Sequence, residues 1–212
     1  MFDRRLIDTM PPGRELALAL AAVDHTDLDA ADALCWLRAC ERQEACMAAR
    51  KAEVLAHFAD LNATLDPVEQ DLLERRIDGA PRLVQIGGDS TAKVHEFCFS
   101  ELAAVLKCSE AGAEHRMAAA LDLRHRLPNT LQLMRKGRLS GSRAALIARQ
   151  SRCLPAEGAA RLEDRLGTTA CRIGYKRLRD EVDTLLIDLD PAEAARRAKE
   201  AAERRYVNID RD

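Results

Sequence analysis

From Asp29 to Asn62 the chain runs without a single Gly or Pro, while Ala33, Leu37, Cys40, Ala48, Ala52, Leu55 and Ala59 recur at helical spacing. One uninterrupted helix of that length is about 50 Å long. A small domain cannot bury such an element unless something else lies along it. Two arrangements meet that need: a matching helix from a second copy, giving a homodimer, or the helices just before and after it in the same copy. Alanine stripes specify oligomers weakly, so both stay open.

The remaining punctuation surrounds this helix with shorter ones. Met1 to Met10 is a short helix or a frayed arm, Pro11-Pro12 opens a helix through Glu15 to Val23, and Asp27 or Asp29 caps the long helix. Asp66-Pro67 starts another helix that Asp78-Gly79-Ala80-Pro81 stops. Arg82 to Thr91 is the least helical stretch; its Gly87-Gly88-Asp89-Ser90 reads as a flexible loop and lacks the Lys of a phosphate-binding loop. Further on, Pro155 to Leu166 forms a helix that Gly167 ends, and Thr168 or Thr169 begins one reaching about Leu189. Asp190-Pro191 begins a last, polar helix through Arg205, after which Tyr206 to Ile209 alternate like a strand. Aromatic residues make up only 3% of the chain, and Gly and Pro sit at the breaks. The expected fold class is all-α: an elongated multi-helix array with a long N-terminal helix, a helix-turn-helix core and a short strand-like end. The expected divisions are a helical arm over 1–81, a linker over 82–92, a basic core over 93–189, and a polar helix over 190–212 leading toward a further domain.

Charge singles out the middle of the chain. Residues 93–153 hold eleven Lys or Arg against five acids, a net of +6, while residues 1–92 carry −7 and residues 154–212 carry −1. Within this segment Ser100 to Ser109 reads as a short helix ending at a polar stop, and Ser109 can N-cap a second helix from Glu110 to Arg126 with Ala113, Met117 and Leu121 facing inward. Pro128 then starts a helix that Gly137 stops, and Ser140 caps another carrying Ala144 and Ile147. A basic helix-turn-helix inside a near-neutral protein points to a polyanionic partner. The outward side of the second helix offers Glu110, Ala111, Glu114, His115 and Ala118, and two carboxylates there argue against reading of base edges. DNA contact is therefore expected mainly at the backbone. The candidate nucleic-acid-binding residues are Lys107, Ser109, His115, Arg116, Arg124, Arg135, Lys136, Arg138, Ser140 and Arg143.

Other chemistry finds little footing. The seven cysteines have no C-x-x-C pairing, and the five histidines no H-E-x-x-H spacing. Asp24, Asp27, Asp29 and Asp32 are acids favoured at a helix N-terminus, without need of an ion. No metal, cofactor or catalytic group is expected. No apolar run approaches a membrane span and no charged-then-apolar leader opens the chain, so a cytoplasmic protein without membrane contact is expected.

Two resemblances rest on particular residues. Glu101-Leu102-Ala103, Leu106 and Ser109, then Leu127-Pro128, Thr130 and Leu131, then Lys136-Gly137-Arg138-Leu139-Ser140 with Ala144 and Ile147, resemble the actinobacterial family called domain of unknown function 222. The likeness runs from about Asp29 to Tyr206 and includes Leu189, Pro191 and the Arg204-Arg205 pair. It implies an HNH endonuclease domain following this helical region, of which these residues hold no catalytic cluster. The stretch from Phe99 to about Arg179 also resembles the DNA-binding domain of the chromosome-partitioning protein ParB, which implies a shared scaffold without a nucleotide switch. The expected function is a DNA-binding module, the targeting arm of an HNH-type mobile-element protein. The alternative is a structural or oligomerisation module with no nucleic-acid role. The two differ in whether the bases share one face or are dispersed among acids from the flanks.

Overall fold

The computed structural model describes residues 3–192 together with 195, 196 and 199. Eleven α-helices and one pair of short strands are found among them. The long helix is there as one piece: α3 (Ala30–Leu61), preceded by α1 (Arg4–Thr9) and α2 (Arg14–Ala21). The Asp29 carboxylate caps it by accepting the Asp32 amide at 2.7 Å. One face of α3 is almost entirely alanine and cysteine, which lets neighbours come close. Cys35 and Ala39 pack against Ile7, Leu16 and Leu20 of the two preceding helices. Further along, Ala49, Ala52, Ala56 and Ala59 join the main core. This face is thus covered by helices of the same copy.

That main core is built by α5 (Cys98–Leu106), α6 (Glu110–His125), α7 (Pro128–Arg135), α8 (Gly141–Ser151), α9 (Ala156–Leu166) and α11 (Tyr175–Leu189). α6 and α7 lie directly on α3. The turn after α7 is pressed onto it as well. Gly137 has φ +70°, and a Cβ there would sit 2.8 Å from the Arg42 carbonyl; at Gly141 it would sit 2.8 Å from the Ala48 methyl. The two glycines of the Lys136–Gly141 turn are therefore what allows α8 to start against the spine.

Three features depart from the sequence reading. The helix expected from Thr168 or Thr169 to Leu189 is broken into α10 (Thr169–Arg172) and α11, because Ile173 and Gly174 take extended conformations and Gly174 becomes an N-cap. Leu83–Val84 and Val94–His95 form an antiparallel pair, β1 and β2, with Leu83 opposite His95. Two-residue strands leave no alternation to read. Lastly, Gly87 and Gly88 are buried instead of forming a loose loop, and Thr91 Oγ1 donates to the Gly88 carbonyl at 2.8 Å. The short α4 (Pro67–Glu74) starts after Asp66 as expected, and Asp66 and Glu69 close a capping box there. The strand-like residues 206–209 lie outside the described residues. Among the described residues, no helix is long and apolar enough to cross a membrane.

The buried glycines are held by a charge. Asp122 of α6 is fully inaccessible, and its Oδ1 accepts the Gly88 amide at 2.8 Å and Arg126 Nη1 at 3.1 Å. Its Oδ2 accepts Arg152 Nε at 2.9 Å. Arg126 is itself buried and donates onward through Nη2 to the Ser151 and Leu154 carbonyls. Gly88 has no substitute here, since a Cβ would fall 2.0 Å from Arg126 Nη1. A second buried carboxyl, Glu163 of α9, accepts the Thr130 amide at 2.6 Å and so serves the N-terminus of α7, whose own N-cap residue, Leu127, supplies no side-chain acceptor.

Removing Asp122 strands a buried guanidinium, so Asp122→Ala should cost roughly 3–5 kcal/mol in urea unfolding. Gly88→Ala should also destabilise strongly; a loss under about 0.5 kcal/mol for either would contradict this account. Glu163 gives stability a dependence on pH. Burial raises its carboxyl above the ordinary range, against the Thr130 bond, which lowers it. A raised folded-state value means that its stabilising contribution is present at low pH and lost as pH rises through that value. Glu163→Gln keeps the acceptor without the charge. It should be more stable than the parent at neutral pH, with the gap narrowing as pH falls through the raised value and closed by about pH 4.

Candidate nucleic-acid interface

The junction between α5 and α6 is three residues long, Lys107 to Ser109. Lys107 adopts the left-handed conformation (φ 51°, ψ 48°) and closes α5, with the Cys108 amide donating to the Ala103 carbonyl at 3.1 Å. Ser109 then accepts the Gly112 amide at 3.1 Å and caps α6, so its hydroxyl is occupied by the fold. Ala113, Met117 and Leu121 are buried as expected, but so is Ala118, which the sequence reading placed outward. A wide inward face explains this: α6 packs against α3, α5, α7 and α8 together. On the outer side, Glu110 accepts the Ser100 hydroxyl at 2.6 Å. His115 Nδ1 donates to the Ala111 carbonyl, which leaves Nε2 as the ring nitrogen for other partners.

An open groove of ≈210 Å³ runs between α6, α8 and the start of α11. Its polar lining is His115 and Arg116 from α6, Ser142 and Arg149 from α8, Arg152 just beyond, and Tyr175. None of the lining residues is acidic. Arg116 and Arg149 make no ion pair within 4 Å among the described residues. Arg152 is different, since Asp122 fixes its Nε from behind and orients the guanidinium while its other N–H groups are left for further partners. Guanidinium forks beside two hydroxyls, without a competing carboxylate, match the oxygens of a phosphate.

The candidate residues separate into three groups. His115 and Arg116 come together in the groove. Arg124 and Arg135 are paired with acids of α3, at 2.8 Å to Asp60 and 2.5 Å to Glu53. Both are therefore partly neutralised by the flank. Lys107, Lys136, Arg138 and Arg143 form no ion pair among the described residues, yet they do not line the groove. Ser140 occupies the N-cap position of α8 without capping it, and its hydroxyl meets that of Ser142 at 3.2 Å. Sequence reasoning missed Ser142, Arg149, Arg152 and Tyr175. The spacing of Ser142, Ala145 and Arg149 along α8 was a usable sign of a shared face, whereas the arrival of Tyr175 depends on the chain turn at Gly174.

Metal chemistry has no cluster to draw on: among the described residues no three His, Cys, Asp or Glu side chains converge. His95 bonds Glu69 at 2.9 Å through Nε2 and accepts the Phe97 amide through Nδ1. Its neighbour Cys98 is buried, which pushes its thiol up to about 11.

Comparison with known proteins finds no curated protein and no solved structure that matches the chain. A family model does match, over residues 52–212, starting inside α3 and taking in the whole basic segment and its groove. By that match the chain belongs to the family described as Domain of unknown function (DUF222).

Proposed function

We propose that this chain is a DNA-binding module that grips the phosphate backbone through the groove between α6, α8 and α11. The observation that carries the reading is the convergence of Arg116, Arg149 and Arg152 with His115, Ser142 and Tyr175 in a groove lined by no acid. Backbone contact without base reading suits this lining, and it also suits the carboxylates of Glu110 and Glu114 on the outer side of α6. In this role the module positions a partner activity on the duplex, such as the HNH nuclease that the family resemblance implies. A second reading, a structural or oligomerisation module, draws support from the Arg124–Asp60 and Arg135–Glu53 pairs, which disperse part of the positive charge among flanking acids.

The two readings separate in a titration of a random duplex followed by fluorescence anisotropy across a salt series. Affinity should fall steeply with salt, and Arg116→Ala/Arg149→Ala should weaken it and shallow the slope by about 2, roughly one per lost phosphate contact. Arg135→Ala, whose charge is already answered by Glu53, should leave the slope nearly unchanged. Absence of binding at low salt would overturn the DNA reading.

A further inference from the structure

The side of α3 that faces away from the core carries a second apolar seam. Leu37, Glu44, Lys51 and Phe58 repeat at seven-residue intervals, and Cys40, Met47, Val54 and Leu61 do so three residues later. That is the spacing of the two core positions of a heptad. The seam lies opposite the alanine face, whose members Ala49 and Ala56 are fully buried. Solvent-facing positions on a helix already packed on its other side are normally polar. Here Leu37 is 55% exposed, Met47 44%, Val54 67% and Leu61 68%. Phe58 and Cys40 sit at the margin of the seam, half-buried with part of their surface packed against the chain's own cores, while Glu44 and Lys51 are exposed.

We infer that this seam is the docking surface for a second copy of the same chain, and that the two α3 helices pair antiparallel. The charges select the direction. In a parallel pair in register, Glu44 would face Glu44 and Lys51 would face Lys51 inside the seam, which is repulsive twice over. In an antiparallel pair centred between Met47 and Lys51, Leu37 meets Leu61 of the second copy and Cys40 meets Phe58. Both ends are closed by apolar contacts. In the middle, Glu44 lies across from Val54 and Lys51 across from Met47, whose side chain takes the aliphatic stem of the lysine. Each Glu44 is then about 4.5 Å along the axis from Lys51 of the second copy, one turn away and of opposite sign. The overlap from Leu37 to Leu61 runs about 36 Å. The inference does not depend on the groove or its ligand.

The test is the mass of the full chain in solution, by sedimentation equilibrium or light scattering over concentrations up to about 100 μM. The expected mass is that of two copies. Met47→Glu/Val54→Glu should return it to one copy with the helical circular dichroism unchanged, since both side chains already face solvent. Orientation follows from a charge swap: Glu44→Lys should weaken association by about tenfold and Glu44→Lys/Lys51→Glu should restore it. A single-copy mass at every concentration would overturn the proposal and assign the seam to a different partner. A two-copy mass that survives Met47→Glu/Val54→Glu would overturn it too. Equal association in all the charge variants would remove the antiparallel arrangement.

Discussion

The buried carboxylate of Asp122 organises this molecule. Isolated in a dry interior it would be strongly unfavourable, and three N–H partners from different parts of the chain keep it there. Those partners are the amide of a glycine loop, a buried arginine one turn along α6, and the arginine after α8. The loop, α6, and the end of α8 are thereby fixed relative to one another. Arg126 extends the same network to the Ser151 and Leu154 carbonyls at the end of α8 and beyond. The groove inherits its floor from this arrangement, since the Arg152 that lines it is gripped from within.

The second organising element is the small-residue face of α3. Alanines remove the side-chain bulk that would separate helix axes, and two glycines in the turn before α8 remove the rest. The helix can then serve as a spine for the N-terminal hairpin at one end and the basic core at the other. Its acids have a further role at that contact, because Glu53 and Asp60 answer Arg135 and Arg124. With those two arginines answered, Arg116 and Arg149 in the groove stay outside the ion pairs found among the described residues, as do Lys107, Lys136, Arg138 and Arg143 elsewhere.

Helix existence was legible along most of the chain because apolar periodicity, proline starts and glycine stops agreed with one another. Asp29, Asp66 and Ser109 cap the helices they were expected to cap. What escaped reading was whatever depends on distant segments meeting. Ala118 looked like one more outward alanine until four neighbours closed around α6. Gly87-Gly88 looked like slack, because its partner Asp122 lies 34 residues away and nothing local announces the hydrogen bond. The site divided in the same way. His115 and Arg116 were singled out from their place on α6 and do line the groove, while Arg149 and Arg152 were counted as charge without being assigned to a face. For Arg124 and Arg135 the sequence did not show that α3 would bring carboxylates to them.

The Asp122 network also constrains the order in which the chain can fold. Its ligands span residues 88 to 154, so the network closes only once the glycine loop, α6 and the end of α8 have been brought together, and loop-closure entropy must be met before the hydrogen bonds are gained. Until that point Asp122, Arg126 and Arg152 remain hydrated. Helices α3, α6 and α7 can dock through their apolar faces without it. The ionic cluster therefore acts as a late lock on an assembly that hydrophobic contacts have already drawn together, and its rupture belongs among the early steps of unfolding.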